Sequence, residues 1–261
     1  MSPGEIAAIV TSVVAALIVA VFSYLGVRRT LEAQERRELR SREEEAERLL
    51  RRYRDPVVRA AFDLQSRLYN IVVNDFLTKY LVRGTPAEQE YAVESSLYVI
   101  GEYFGWVEVL RQEVQFLDLG DAGKSRELRE RLGAINGIFF SERPDPAFRI
   151  FRGEQRAIGQ VMVETSSGSG GREVIGYADF VTRRRSPDFA RWFEKLDADV
   201  RQLAGASDLR PDRLIDVQHA LIGLLAFLDP DNHYFPESRR QLIPHDATAS
   251  EPAVPAEPPE D

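Results

Sequence analysis

From Ile6 to Val27 the chain runs 22 residues without a charged side chain. No other feature narrows its architecture so much. A helix rises about 1.5 Å per residue, so this run reaches about 33 Å, against a bilayer hydrocarbon core of about 30 Å. Twelve of the 22 residues are Val, Ile, Leu or Phe, and at roughly 0.3–0.6 kcal/mol each they favour insertion by about 4–7 kcal/mol, which outweighs Thr11, Ser12 and Ser23. The expectation is a single transmembrane helix over 6–27. A buried soluble helix is the weaker alternative, and so is a cleaved signal peptide, because residues 1–5 carry no basic n-region. Arg28, Arg29, Arg36, Arg37, Arg40 and Arg42 follow the helix, whereas its N-terminal flank has no Lys or Arg. Positive-inside logic then leaves residues 1–5 outside the cell and puts the rest of the chain in the cytoplasm, on the inner face of the plasma membrane. Ala8, Ser12, Ala16 and Ala20 recur every four residues, a small-residue face through which two such helices would form a homodimer. The ordinary abundance of Ala and Ser in membrane helices competes with that reading.

Charge is distributed by region. Residues 28–54 carry ten Arg against seven Glu, and the last 21 residues carry five acids and no Lys or Arg, within a formal net charge of −8. The body between them is acidic, so no nucleic-acid partner is expected. Absence of cysteine excludes disulfides, thiol nucleophiles and Cys-ligated zinc. Within 28–54, Glu32/Arg36, Glu38/Arg42, Glu44/Arg48 and Glu47/Arg51 place Glu four residues before Arg, which supports a charged helical stalk. Leu39, Ala46 and Tyr53 lie seven apart, a weak coiled-coil seam interrupted by Arg42 and Glu43.

Beyond the stalk, the pattern predicts an all-α body over 55–242, a helical bundle. Asp55 and Pro56 read as N-cap and N1 of a helix that runs to Gly84. Thr85, Pro86 and Glu88 form a capping box, and Val93, Leu97, Ile100, Phe104, Val107, Leu110, Val114 and Leu117 follow in steps of three and four, with Gly120 as the stop. Gly101 and Gly105 inside that helix each cost about 1 kcal/mol relative to Ala, so close packing against a neighbour is expected. Further helices are expected over 124–140, 154–164, 186–205 and 211–228, with a Ser/Gly loop at 166–171. Residues 173–181 keep no single period and read as a short strand or an irregular connection. The Pro-rich acidic segment 243–261 is expected to be disordered.

Chemical motifs are sparse. DPDNHYFP, from Asp229, resembles the start of a calcium loop, but Tyr234 stands where the turn glycine belongs and Arg240 where a bidentate Glu belongs. A helix stop and turn is the expected reading. His219, His233 and His245 lack metal-ligand spacing, and no cofactor, metal or catalytic residue is assigned. Asp63, Arg67, Asn70 and Asn74 form a polar stripe that, with Glu154, would line a pocket if another helix covered it; a solvated face is the competing reading. Arg149, Arg152 and Arg156, together with Arg183, Arg184 and Arg185, supply candidate contacts to an anionic partner or lipid. Pairing with Glu154, Asp179 or Asp188 is the alternative.

The runs DPVVRAAFDLQSRLYNIV, YFGWVEVLRQEVQFLDLG, FRIFRGEQRAIGQVM and IGYADFV resemble an uncharacterised family of membrane-anchored helical proteins from GC-rich Gram-positive bacteria. The resemblance covers most of residues 53–243. It implies a helical domain on a membrane or stalk segment and carries no activity, cofactor or catalytic residue. The functional expectation is a single-pass membrane-anchored, non-enzymatic interaction or scaffold protein that meets the lipid bilayer and an unidentified protein partner. The alternative is a membrane-tethered enzyme or ligand sensor with a polar pocket between helices.

Overall fold

A computed structural model describes residues 52–114, 122–165, 171–205 and 211–244, with Arg28, Gln34 and Arg37 as further helical positions. The expected transmembrane helix over 6–27, its face of Ala8, Ser12, Ala16 and Ala20, nearly all of the stalk, Gly120 and the tail from residue 245 lie outside the described residues. Among the described residues no helix is long and apolar enough to cross a membrane. The described part is mostly helical with one two-stranded sheet.

Helix α1 spans 52–72. The expected start at Asp55 and Pro56 is not found: residues 52–55 are already helical, so both lie within the helix. The Asp55 carboxylate accepts the Tyr234 hydroxyl, and Tyr53 is buried with Val57, Val109 and Leu110. Tertiary contacts thus engage the turn that the sequence assigned to capping. Nor does α1 reach Gly84. It breaks over 73–75, where Asp75 adopts φ +53°, a left-handed conformation that Asn and Asp tolerate best after Gly. The chain resumes at Phe76 and passes through a π-helical turn, Thr78–Val82.

Helix α2, Pro86–Val114, is the central element. Its start is the expected capping box, with the Thr85 N–H donating to Glu88 Oε2 at 2.7 Å. That hydrogen bond, with a second from the Thr85 hydroxyl, holds the Glu88 carboxyl below its ordinary range. Helix α3 spans Ala122–Phe140 and α4 spans Arg152–Met162. Strands β1, Val163–Thr165, and β2, Arg172–Val174, pair antiparallel with Val163 opposite Val174. The strand β1 therefore replaces the expected end of the 154–164 helix, and 173–181 resolves into the end of β2 followed by helix α5, Tyr177–Arg183. The buried Ile175 extends the pairing by donating its N–H to the Met162 carbonyl.

The expected 186–205 helix is two, α6 at Pro187–Ala190 and α7 at Glu194–Gly205. The turn between them lets Phe189 and Phe193 stack at 5.4 Å in the core. Helix α8, Asp212–Leu228, packs on α3.

Helices α2 and α4 meet at the glycines. A Cβ on Gly105 would lie 2.8 Å from Val174 Cγ2, and one on Gly159 would lie 2.6 Å from the Phe104 carbonyl oxygen. Gly101 faces Met162 and Phe193 in the same seam. Close helix approach thus offsets the low helix propensity of Gly101 and Gly105.

After α8, Asp229 is fully buried and accepts the backbone N–H groups of His233 and Tyr234, while Arg240 pairs with its carboxylate. DPDNHYFP is therefore a turn organised by Asp229. The chain then runs as a strap along α1 and α8. Phe235 stacks on Phe62 at 3.6 Å, Gln218 Nε2 donates to the Gln241 carbonyl, and the Ile243 N–H donates to Gln218 Oε1. Ile243 is fully buried, so the packed body extends past the expected boundary at 242.

Candidate anion-binding groove

The site begins with a buried arginine. Arg213 on α8 is 3% exposed and pairs with backbone carbonyls. Its Nε donates to Ala147 O at 2.9 Å, and its Nη1 donates to Ile138 O at 2.7 Å and Ser141 O at 3.0 Å. Burial and the nearby Arg143 and Arg149 charges lower its pKa. The partially negative C-terminal carbonyls of α3 suit a cation at this point.

Arg213 pins one side of the 141–150 loop, and Asp199 pins the other. The Phe148 N–H donates to Asp199 Oδ2 at 2.8 Å, and Phe148 sits at φ +54°, a strained conformation for an aromatic residue. Strain of about 1–3 kcal/mol persists only where the surroundings over-determine the backbone. Here it turns the chain so that Phe148 is buried while Arg149 lines a groove. Helix α4 follows, its first turn closed by the Phe151 N–H donating to Glu154 Oε2 at 2.8 Å.

This groove, of about 280 Å³, lies where α4 meets the α6–α7 turn and the start of α7. Its apolar floor is Ile150, Ile158 and Leu196. Trp192 forms a wall, and Arg149, Arg191 and Lys195 supply three cations against the single carboxylate of Glu154. Lys195 is tied to Asp199 at 2.6 Å. The guanidiniums instead lie over aromatic rings: Arg149 over Phe151 at 5.5 Å, Arg191 over Trp192 at 4.7 Å, and nearby Arg152 over Phe140 at 5.5 Å. Among the described residues none of these three arginines makes an ion pair. Phe151 beside them is 48% exposed.

Arg156 is exposed on α4, and its charge reaches Glu108. Burial pushes the Glu108 carboxyl up, but hydrogen bonds from Arg111 and Gln112 and the Arg111 and Arg156 charges hold it below its ordinary range. The second arginine cluster is arranged otherwise. Arg183 pairs with Glu164 at 2.6 Å. Arg184, its side chain 11% exposed, pairs with Asp197 at 2.7 Å and Glu94 at 3.2 Å. Arg185 is exposed. The partners are not the Glu154, Asp179 or Asp188 that proximity in sequence suggested.

The five candidate pocket residues do not share one pocket. Asn70 and Asn74 line a different groove, of about 430 Å³, between α1 and the strap residues Arg239 and Gln241, and Glu154 lines the cationic groove. Asp63 and Arg67 join a polar and aromatic cluster with Tyr98 and Glu102 of α2 and Tyr177 of α5. Desolvation raises the Asp63 carboxyl against the pull of Arg59 and Arg67. Burial, reinforced by the Asp63 charge, raises Glu102 to about 7. Tyr98 donates to Glu102 Oε1 at 3.3 Å, Tyr98 and Tyr177 pack edge to face, and Arg67 lies 4.0 Å over Phe76 with its Nη1 buried and unpartnered.

Sequence reasoning missed Arg191, Trp192, Lys195, Arg213 and Glu102. The run RWFEK does hold a visible signal, an Arg–Trp pair with Lys four residues after the Arg, which the turn between α6 and α7 brings to the groove. Comparison with protein-family models, with curated proteins and with solved structures finds no match.

Proposed function

We propose that this chain is a single-pass, membrane-anchored interaction protein whose helical body, on the cytoplasmic side, binds an acidic segment of a partner protein. The carrying observation is the groove of Arg149, Arg191 and Lys195, in which two guanidiniums lie over aromatic rings without carboxylate partners among the described residues. Arginine presents a planar fork to carboxylates, and an apolar floor beside it suits a peptide more than a bare ion. The 22-residue uncharged run with arginines on one flank supports the anchor and its orientation. The resemblance to membrane-anchored helical proteins of GC-rich Gram-positive bacteria belongs to the same proposal. So does pairing of two anchors through Ala8, Ser12, Ala16 and Ala20.

The test is fluorescence anisotropy of a labelled Glu/Pro-alternating peptide against the anchored chain in zwitterionic nanodiscs, with residues 245–261 removed so that no other acidic segment competes. Binding that weakens about tenfold in the Arg149→Glu/Arg191→Glu variant supports the reading. Binding indifferent to those changes contradicts it.

A second reading, a ligand sensor, is favoured by the Asp63–Tyr98–Glu102 cluster. The folded state holds the Glu102 proton up to about 7, whereas the ordinary carboxyl releases it near 4.5. Between those values the fold binds more protons than the unfolded chain, so stability falls as pH rises through that window. The expected result is a melting temperature that drops from about pH 5 to about pH 8, with the drop reduced in Glu102→Gln. An equal drop in both proteins removes the observation behind this reading.

A further inference from the structure

We infer that the Arg149/Arg191/Lys195 groove is occupied in the resting protein by the chain's own acidic segment 245–261, which a partner must displace. The inference rests on the groove reading above and adds its regulation.

Three observations carry it. The first is charge complementarity. The segment holds Asp246, Glu251, Glu257, Glu260 and Asp261 and no Lys or Arg, and the groove sets Arg149 and Arg191, which make no ion pair among the described residues, against the single carboxylate of Glu154, Lys195 being held by Asp199.

The second is reach. Ile243 is fixed to Gln218 by its backbone N–H. Gln218 lies five residues along α8 from Arg213, about 7.5 Å at 1.5 Å per residue. Arg213 holds Ala147, two residues before Arg149. Chained together with their side-chain lengths, these contacts put the start of the segment on the order of 30 Å or less from the groove. Seventeen residues follow Pro244, and at about 3.1 Å each in the polyproline II conformation they span about 53 Å.

The third is register. Glu251, Val254, Glu257 and Glu260 recur every three residues, the repeat at which a segment bound as polyproline II would present one face, about 9 Å between neighbours. Bound in that way, the segment would offer acid, apolar, acid, acid to a groove whose cations border the apolar floor of Ile150, Ile158 and Leu196. Trp192 in the wall supplies the aromatic surface on which proline-rich segments dock.

The experiment uses a labelled synthetic peptide of residues 245–261 as probe, measured by anisotropy against the anchored chain in zwitterionic nanodiscs. Three forms are compared: the intact chain, the chain ending at Pro244, and the full chain with Glu251→Gln, Glu257→Gln and Glu260→Gln. The last form keeps the chain length and guards against a truncation defect. The expected result is binding to the second and third forms about tenfold tighter than to the intact chain, lost in an Arg149→Glu/Arg191→Glu background. Neutralising Asp246 and Asp261, which fall outside that three-residue repeat, has little effect. Equal binding to the intact and altered chains overturns the inference, as does binding unaffected by Arg149 and Arg191. If the Glu/Pro-alternating peptide binds and this one does not, self-occupancy is wrong and the groove reading stands. If neither binds, both are wrong. Capture of phosphatidylglycerol vesicles through Arg149 and Arg191, without peptide binding, overturns both in favour of a lipid contact.

Discussion

Two arginine clusters visible in the sequence meet opposite fates in this fold. Arg183 and Arg184, at the end of α5, are engaged by Glu164, Glu94 and Asp197. Arg149 and Arg152, before and at the start of α4, lie over Phe151 and Phe140, and Arg191 joins them over Trp192. The first cluster connects α5 to β1, α2 and α7. The second presents charge that the described fold does not neutralise. Composition cannot separate the two, because the deciding carboxylates come from elements up to 90 residues away in sequence, as in the Arg184–Glu94 pair.

The comparison predicts a graded series. Arg213→Met should have the largest effect, since it strips the buried carbonyls of 138–147 of their shared donor and frees the loop that bears Arg149. A loss of about 3 kcal/mol or more is expected, lowering the melting temperature of the full chain by about 6 °C or more. A smaller change would mean that the loop is held chiefly by Asp199. Next comes Gly159→Ala, whose new methyl meets the Phe104 carbonyl oxygen at 2.6 Å. Separating α2 from α4 is expected to cost about 1–3 kcal/mol, and thermal denaturation that leaves stability unchanged would show that the seam can relax.

Arg184→Ala follows, at about 1–2 kcal/mol, because it leaves Glu94 and Asp197 facing each other without their shared cation. Arg183→Ala, at a more exposed pair, should stay within about 1 kcal/mol. Smallest in stability are Arg149→Ala and Arg191→Ala, each within about 0.5 kcal/mol. A large loss at either position would place that arginine with the structural cluster.

The sequence discloses those parts of the fold that depend on local rules. Helix α2 is legible from Thr85, Pro86 and Glu88 and from its three-and-four apolar steps, and the need for packing partners at Gly101 and Gly105 follows from their cost. Breaks imposed by tertiary contacts are not legible. The turn at Asp75 and the division of α6 from α7 interrupt segments that are apolar enough to continue as helix, and strands of three residues are too short to display a period of two. At the site, the density of Arg149, Arg152 and Arg156 is visible in the chain. Arg191, Trp192 and Lys195 become their neighbours only because the α6–α7 turn and the start of α7 border the same groove as α4, and Arg213 becomes a scaffold only because α8 begins near the 141–147 turn.

The central claim is that one arginine cluster supports the fold and the other is reserved for binding. It is tested most directly by measuring acidic-peptide affinity side by side for Arg149→Ala/Arg191→Ala and Arg183→Ala/Arg184→Ala in the chain ending at Pro244. The account predicts affinity reduced about tenfold in the first variant and within about twofold of the parent in the second. Equal losses in both, or a loss confined to the second, would contradict it.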